Sequence, residues 1–237
     1  MDQHQTHDEP HVWDDVMTDL DRAVYGNAYA RPLPRPRRPA LLLIDYYNAV
    51  FGDRPESVLE ALPRFPSSCG LAAWEALPFA EQLMAAARQS SAPIFYTTGE
   101  TRPESQPQLA NATKRKGSGR TNWDMAIVDS LSPRPGDTVI YKQRASAFFG
   151  TPLSAHLVQL GVDGLVVAGE STSGCVRASV VDAYSHGFPV LLAEEATFDR
   201  SLTSHKVNLF DMHHKYAWVV KTSNASEALS RWEPSPE

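Results

Sequence analysis

The sequence predicts an α/β protein: a three-layer αβα arrangement around a parallel sheet of about six strands. Short apolar runs, typical of strands buried on both faces, alternate along most of the 237 residues with longer amphipathic runs, typical of helices. Such alternation indicates βαβ units, whose strands are parallel. Hydrophobic residues make up 42% of the chain, which is enough to build one full core.

The runs place the predicted elements in a definite order. The predicted strands are residues 40–44, 93–97, 139–141, 165–168, 190–193 and 217–221. The predicted helices are residues 78–89, 152–160, 175–186 and 207–215. A weaker amphipathic run precedes the first strand, at residues 12–24.

Asp45 and Lys142 are charged residues at the carboxyl ends of two predicted strands. Asp45 follows residues 40–44, and Lys142 follows residues 139–141. Ligands of open α/β sheets bind beyond the carboxyl ends of the strands. Taken alone, each residue also fits a capping, paired or solvated charge. Together they offer a base and a cation at one edge of the predicted sheet.

Cys175 lies in the most informative segment, residues 169–177. This segment follows the strand at 165–168 and opens a helical run, so that the cysteine lies near the positive end of a helix dipole, where the thiolate is favoured. The segment by itself fits a small buried cysteine equally well. Asp45 and Lys142 favour a nucleophile instead, because a carboxylate can take the thiol proton and an ammonium can stabilise the thiolate.

The chain resembles the isochorismatase-like cysteine hydrolases. The matching stretches are residues 42–45, Lys142 with residues 146–153, and residues 169–176. Within that family it is most similar to the N-carbamoylsarcosine and maleamate amidohydrolases. The residues that carry this closer likeness are 172–183, 187–188, 199–200, 208–211 and 215–216. The resemblance runs from about residue 39 to about residue 220.

The resemblance implies a role for each matching residue. Cys175 would be the nucleophile, Asp45 the general base and Lys142 the cation that stabilises the developing charge. The Glu170–Ser171 peptide would be cis, and the backbone N–H groups of Ser171 and Cys175 would form an oxyanion hole.

Substrate-binding residues follow from the same resemblance and from the surrounding sequence. Arg200 would grip a substrate carboxylate, which suits its forked guanidinium. Thr172 is a further candidate beside the nucleophile, and Trp123 is a candidate aromatic wall. Glu170 departs from the branch, which usually has a small or apolar residue there. The expected substrate is therefore a small linear amide or ureido acid, without a choice between carbamoylsarcosine and maleamate. An isochorismatase-like hydrolase that acts on a different small substrate is the alternative within the family.

No cofactor or metal is expected. The nicotinamidase branch of the family holds zinc with an aspartate and histidines, but none of the eight histidines lies between residues 39 and 142. The branch that cleaves isochorismate lacks the nucleophilic cysteine, so Cys175 favours the C–N hydrolases.

Composition argues against several other classes of protein. A formal net charge of −6 disfavours a nucleic-acid partner, and two cysteines make no disulfide framework. No apolar run approaches the roughly 20 residues of a membrane span, and the start resembles no signal peptide, so a cytoplasmic location is expected.

Two regions fall outside the alternating pattern. Residues 1–38, ahead of a hydrolase domain at 39–237, form either a flexible tail with a proline-rich linker or an arm that wraps a neighbouring subunit of a homo-oligomer. Residues 99–137 form a long polar loop, in which the basic residues 114–120 fit a solvated loop and Trp123 fits a lid.

Two alternatives from other classes remain open. The chain could be a binding protein that kept the fold without the chemistry. It could also be a thiol-based redox protein, with Cys69 or another subunit supplying the second thiol, although Cys69 fits a packed residue better.

Overall fold

The protein has a six-stranded, fully parallel sheet covered by helices on both faces, which confirms the predicted fold class. The computed structural model describes residues 10–28, 32–102 and 121–233. The strands are β1 (Pro39–Ile44), β2 (Ile94–Gly99), β3 (Thr138–Lys142), β4 (Gly164–Gly169), β5 (Val190–Thr197) and β6 (Trp218–Val220). Their spatial order is β3-β2-β1-β4-β5-β6.

The helices vary from single turns to five turns. They are α1 (Asp19–Ala28), α2 (Asn48–Phe51), α3 (Val58–Ala61), α4 (Leu71–Ser90), α5 (Asn122–Met125), α6 (Leu153–Gln159), α7 (Arg177–Ser185), α8 (Leu202–Lys215) and α9 (Thr222–Leu229). A 3-10 turn spans Asp129–Leu131, and a π-helical turn spans Thr172–Val176.

The side chains of alternate strand residues pack into two separate hydrophobic cores, one on each face of the sheet. On one face, Leu41 and Leu43 of β1 pack with α4 and α9. On the other, Leu42 and Ile44 pack with α6, α7 and α8. Successive side chains of a strand point to opposite faces, so a continuous apolar run such as β1 requires cover on both sides. The three layers follow from that requirement.

The strand order reverses between β1 and β4, at the centre of the sheet. Ile44 pairs with Gly169 at the carboxyl ends of these two strands. A side chain at Gly169 would place its Cβ 2.0 Å from the carbonyl oxygen of Ile44, and φ there is +130°, so only glycine fits. In doubly wound sheets the crevice beside such a reversal is the usual ligand site. The residues that follow β1 and β4 therefore meet in that crevice.

Several elements extend beyond the ranges that the sequence predicts, among them α4, α8 and β5. Helix α4 begins at Leu71 rather than near residue 78 and runs through Pro78. An interior proline costs about 3 kcal/mol, but the buried alanines of α4 continue the apolar face on both sides of it. Strand β5 extends to Thr197, because Glu194 and Glu195 within it are paired, with Lys221 and with the N-terminus of α9 respectively.

The described N-terminal residues pack on the chain itself. The side chain of Trp13 is buried in the second core, and the ring of His11 stacks on it with centroids 4.1 Å apart. The ring of His11 also bonds to Glu194, and Lys206 forms an ion pair with Asp15. The division into an arm at 1–38 and a domain at 39–237 stays a prediction.

The basic residues 114–120 lie outside the described residues. Among the helices that are described, none has the length and apolar character needed to cross a membrane.

Candidate active site

Asp45 is held rigidly at the end of β1. Its side chain is buried, and its φ of +59° lies in the left-handed region, which aspartate tolerates better than most residues. The hydroxyl of Thr97 in β2 donates to Oδ1 at 2.7 Å, and the backbone N–H of Asp45 donates to the hydroxyl oxygen of Thr97. One carboxylate oxygen is thus fixed by the neighbouring strand, and Oδ2 is left for other partners.

Lys142, the last residue of β3, reaches across β2 to this carboxylate. Its Nζ lies 2.7 Å from Oδ2 of Asp45 and 3.3 Å from Sγ of Cys175. Nζ also approaches the carbonyl oxygen of Arg144 at 3.4 Å. The structure therefore brings Asp45, Lys142 and Cys175 into contact, and we call them the three-residue cluster.

Cys175 lies in the π-helical turn that follows β4. The N–H groups of Val176 and Arg177 donate to carbonyl oxygens five residues earlier, those of Ser171 and Thr172. Wider turns of this kind are rare and are frequently found at functional sites. The Ser179 hydroxyl donates to the Cys175 carbonyl at 2.7 Å and accepts from the N–H of Ala147 at 2.8 Å, which ties the turn to the loop after β3.

The charges of the cluster keep the thiol protonated. Burial raises the pKa of Cys175 and the negative charge of Asp45 raises it further, while Lys142 offsets only part of the rise. Burial lowers the pKa of Lys142, but the carboxylate of Asp45 more than offsets this and holds that pKa above its ordinary value. The sequence favours a thiolate at this helix start, whereas burial and the charge of Asp45 raise the Cys175 pKa and so favour the neutral thiol. The thiol proton of Cys175 would therefore have to transfer to Asp45 when the sulfur attacks a substrate.

The peptide bond between Glu170 and Ser171 is cis, as the resemblance implies. The Ser171 carbonyl accepts from the N–H of Gly174 at 2.8 Å, which closes the turn ahead of the cysteine. Asp199, after β5, caps the same turn, because its Oδ2 accepts from the N–H of Ser173 at 2.9 Å. The oxyanion-hole role of the Ser171 and Cys175 N–H groups stays a prediction.

Arg200, which follows β5, is already paired. Its Nη2 lies 3.1 Å from Oε2 of Glu170 and donates to the carbonyl oxygen of Ser67. Glu170 is buried, and the thiol of Cys69 lies 3.6 Å from its Oε2. Among the described residues, the buried Nε of Arg200 has no hydrogen-bond partner. The sequence marks Glu170 as unusual, but its pairing with a residue thirty positions away has no local signal.

The described contacts of Thr172 and Trp123 are with residues outside the three-residue cluster. The buried hydroxyl of Thr172 bonds to Nδ1 of His205 at 2.7 Å, so it faces α8. The half-exposed ring of Trp123 lies 5.9 Å from that of Phe65, and the Asn48 side chain bonds to the Trp123 carbonyl at the same end of the sheet as Asp45. Their substrate-binding roles stay predictions.

Other functional candidates were missed by sequence reasoning. Thr97 and Ser179 position the cluster, but a threonine inside a strand and a serine inside a helix carry no distinctive pattern. Within the described part of the chain, no group of three or more histidine, cysteine, aspartate or glutamate side chains could hold a metal ion.

A buried carboxylate, ammonium and thiol beside the central reversal of a doubly wound parallel sheet define the isochorismatase-like class of α/β proteins. The chain belongs to the isochorismatase family, since the family's isochorismatase domain matches residues 39–224.

Individual relatives support the same assignment. The chain is 35% identical over 212 residues to a maleamate amidohydrolase of Pseudomonas putida, covering 86% of this chain and 93% of that one. It is 30% identical over 209 residues to an N-carbamoylsarcosine amidase of an Arthrobacter species, covering 85% and 75%. A solved isochorismatase family protein of Desulfovibrio vulgaris aligns with a TM-score of 0.69 at 26% identity, over 82% of this chain and 99% of that one.

Proposed function

We propose that this protein is a cysteine-dependent C–N hydrolase that cleaves a small linear amide or ureido carboxylate and releases ammonia. The observation that carries the proposal is the three-residue cluster, in which a thiol, a carboxylate and an ammonium are in contact in the crevice of the sheet. The names of the two curated relatives support amide hydrolysis in general.

The first half of the reaction is acyl transfer to sulfur. Sγ of Cys175 attacks the carbonyl carbon of the substrate, and Oδ2 of Asp45 takes the thiol proton. The carbonyl π electrons move to oxygen and form a tetrahedral oxyanion. When that intermediate collapses, the C–N bond breaks, the nitrogen takes the proton back from Asp45, and ammonia leaves an acyl-enzyme.

The second half returns the enzyme to its starting state. Asp45 takes a proton from a water molecule, whose oxygen attacks the thioester carbon. The C–S bond then breaks, the proton passes to sulfur, and the acid product leaves. One water molecule is consumed and one ammonia molecule is formed for each bond cleaved.

Electrostatics support this division of roles. The positive charge of Lys142 lies 3.3 Å from Sγ, where it lowers the energy of the sulfur anion during transfer. The N–H groups of Ser171 and Cys175 would bind the oxyanion, and loss of one such donor typically costs about 3–4 kcal/mol of barrier. Arg200 would bind the substrate carboxylate, and Thr172 and Trp123 would make further contacts with the substrate.

The test is ammonia release from a panel that contains maleamate, N-carbamoylsarcosine and neutral linear amides. Turnover of the carboxylate-bearing members that is lost in Cys175→Ala supports the proposal. Substantial turnover by Cys175→Ala would rule out covalent catalysis at this residue. Arg200→Met should raise KM for the acids while leaving KM for neutral amides unchanged, and an equal effect on both would remove the proposed role of Arg200.

A further inference from the structure

The proposed chemistry does not use Glu170. It is a buried carboxylate two residues before the π-helical turn, and its Oε2 lies 3.1 Å from Nη2 of Arg200. An acid that is buried this deeply in an active-site crevice must have a compensating charge, and Arg200 supplies it. The guanidinium proposed to bind a substrate carboxylate therefore already holds a carboxylate of the protein.

The surrounding charges sum to no excess of positive charge. Lys142 is paired with Asp45, and Arg200 is paired with Glu170. Asp199 adds a further negative charge close to Arg200, and the other titratable neighbours, Tyr47 and Cys69, are neutral when protonated. A ligand carboxylate that approaches these described residues adds a negative charge where both Lys142 and Arg200 are already paired.

Arg200 nevertheless has an N–H donor, at Nε, that no described residue satisfies. Its Nε is buried and has no hydrogen-bond partner among the described residues, and such a donor costs free energy until an acceptor reaches it. Nη2, by contrast, is shared between Glu170 and the carbonyl oxygen of Ser67. The guanidinium thus offers a hydrogen bond to an incoming oxygen atom, while Glu170 balances most of its charge.

We propose that Glu170 is a specificity-determining residue, which holds Arg200 as an internal counter-ion and so limits the number of carboxylates that the site accepts. This inference rests on the proposed function and deepens it. A ligand with one carboxylate shares Arg200 with Glu170, and a ligand with two carboxylates is disfavoured. The site consequently discriminates between an amide acid and the dicarboxylate that its hydrolysis would yield.

The test uses three ligands with the same four-carbon skeleton and increasing charge: succinamide, succinamate and succinate. Binding is measured by calorimetry in the Cys175→Ser background, where nucleophilic turnover is removed, with and without Glu170→Gln. Glu170→Gln should tighten binding roughly tenfold for each ligand carboxylate, the size expected for one partly buried charge pair. Binding of neutral succinamide should stay within about twofold, because no charge interaction is changed.

Three comparisons make the result decisive. Glu227→Gln removes the same charge from an exposed pair with Arg231 and should change none of the affinities. Adding Arg200→Met to Glu170→Gln should abolish the gain, since the gain arises from the released guanidinium. If Glu170→Gln fails to fold, Glu170→Ala takes its place and should likewise tighten binding of the ligands that carry carboxylates.

Several results would overturn the inference. One is a Glu170→Gln series that matches the Glu227→Gln series, and another is an equal gain for all three ligands. Failure of all three ligands to bind either protein also counts against it. A protein that hydrolyses no amide would rule out the proposed function, but the calorimetric comparison could still be made. Failure of the proposed function and failure of the inference about Glu170 are therefore distinguishable.

Discussion

The hydroxyl of Thr97 donates to Oδ1 of Asp45 at 2.7 Å, so that strand β2 fixes the orientation of a carboxylate that belongs to β1. With Oδ1 occupied, Oδ2 is the oxygen that meets Lys142, at 2.7 Å. The orientation of the proposed base is thus set by a residue that takes no part in proton transfer.

Thr97→Val is expected to lower kcat/KM while leaving the fold intact. A hydrogen bond to a charged group contributes about 1.5–3 kcal/mol, which predicts a loss of roughly 10- to 100-fold if Asp45 becomes free to rotate. Steady-state kinetics on an amide substrate measure the effect. Thr97→Ser keeps the hydroxyl and should retain most of the activity. Equal losses in both variants would show that packing at Thr97 matters, and not the hydrogen bond.

Asp45→Asn is expected to make Cys175 react at lower pH, although it stops turnover. The charge of Asp45 raises the pKa of the thiol, and its removal leaves Lys142 unopposed, so the thiolate forms earlier as pH rises. The measurement is the pH dependence of iodoacetamide labelling, with the site assigned to Cys175 by peptide mass spectrometry. Asp53→Asn, at an exposed pair with Arg64, is the control. A midpoint that stays in place or rises would contradict the electrostatic account.

Lys142→Met is expected to destabilise the protein, because it leaves Asp45 buried without its cation. Loss of one partner of a buried pair costs about 3–5 kcal/mol of unfolding free energy. Urea denaturation at neutral pH measures this loss. The double variant Asp45→Asn with Lys142→Met should recover much of it. The exposed pair of Arg231 with Glu227 supplies the control, since Arg231→Met should cost less than about 1 kcal/mol. Similar losses at both pairs would contradict the prediction.

Trp13→Ala is expected to cost about 3–5 kcal/mol of stability, because the indole is buried in the core on the α8 side of the sheet. Thermal or urea unfolding measures the loss. Trp123→Ala removes an equally large but half-exposed ring and should cost less than about 1 kcal/mol. If the two variants lose the same amount, the packing of residues 10–28 on the domain is weaker than the structure indicates.

Removal of residues 1–30 is expected to reduce the size of the assembly if these residues form an arm that wraps a neighbouring subunit. Size-exclusion chromatography with light scattering measures the mass of the particle. Trp13→Ala keeps the arm and loses only the core contact, so it separates loss of stability from loss of the partner contact. An unchanged mass for the shortened chain would remove the arm from consideration.

The periodicity of the sequence was sufficient for the fold, because the central strands β1 and β4 are buried apolar runs that only a doubly covered sheet can bury. It also located Asp45, Lys142 and Cys175 at strand ends. The direction of the Cys175 pKa could not be predicted, since burial and the distance to Asp45 outweigh the helix dipole and neither is visible in a sequence. The pairing of Glu170 with Arg200 was likewise hidden, because it depends on β4 and β5 ending side by side.

The three-residue cluster draws its members from β1, from the edge strand β3 and from the turn after β4. No single supersecondary unit contains all three, so the reactive arrangement is absent until β2 and β3 have docked beyond β1. Loss of pairing at β3 would withdraw the ammonium while most of the hydrophobic interior stayed intact. Hydrolytic activity in this protein would therefore report the integrity of one outermost strand, and would be expected to fail before global unfolding begins.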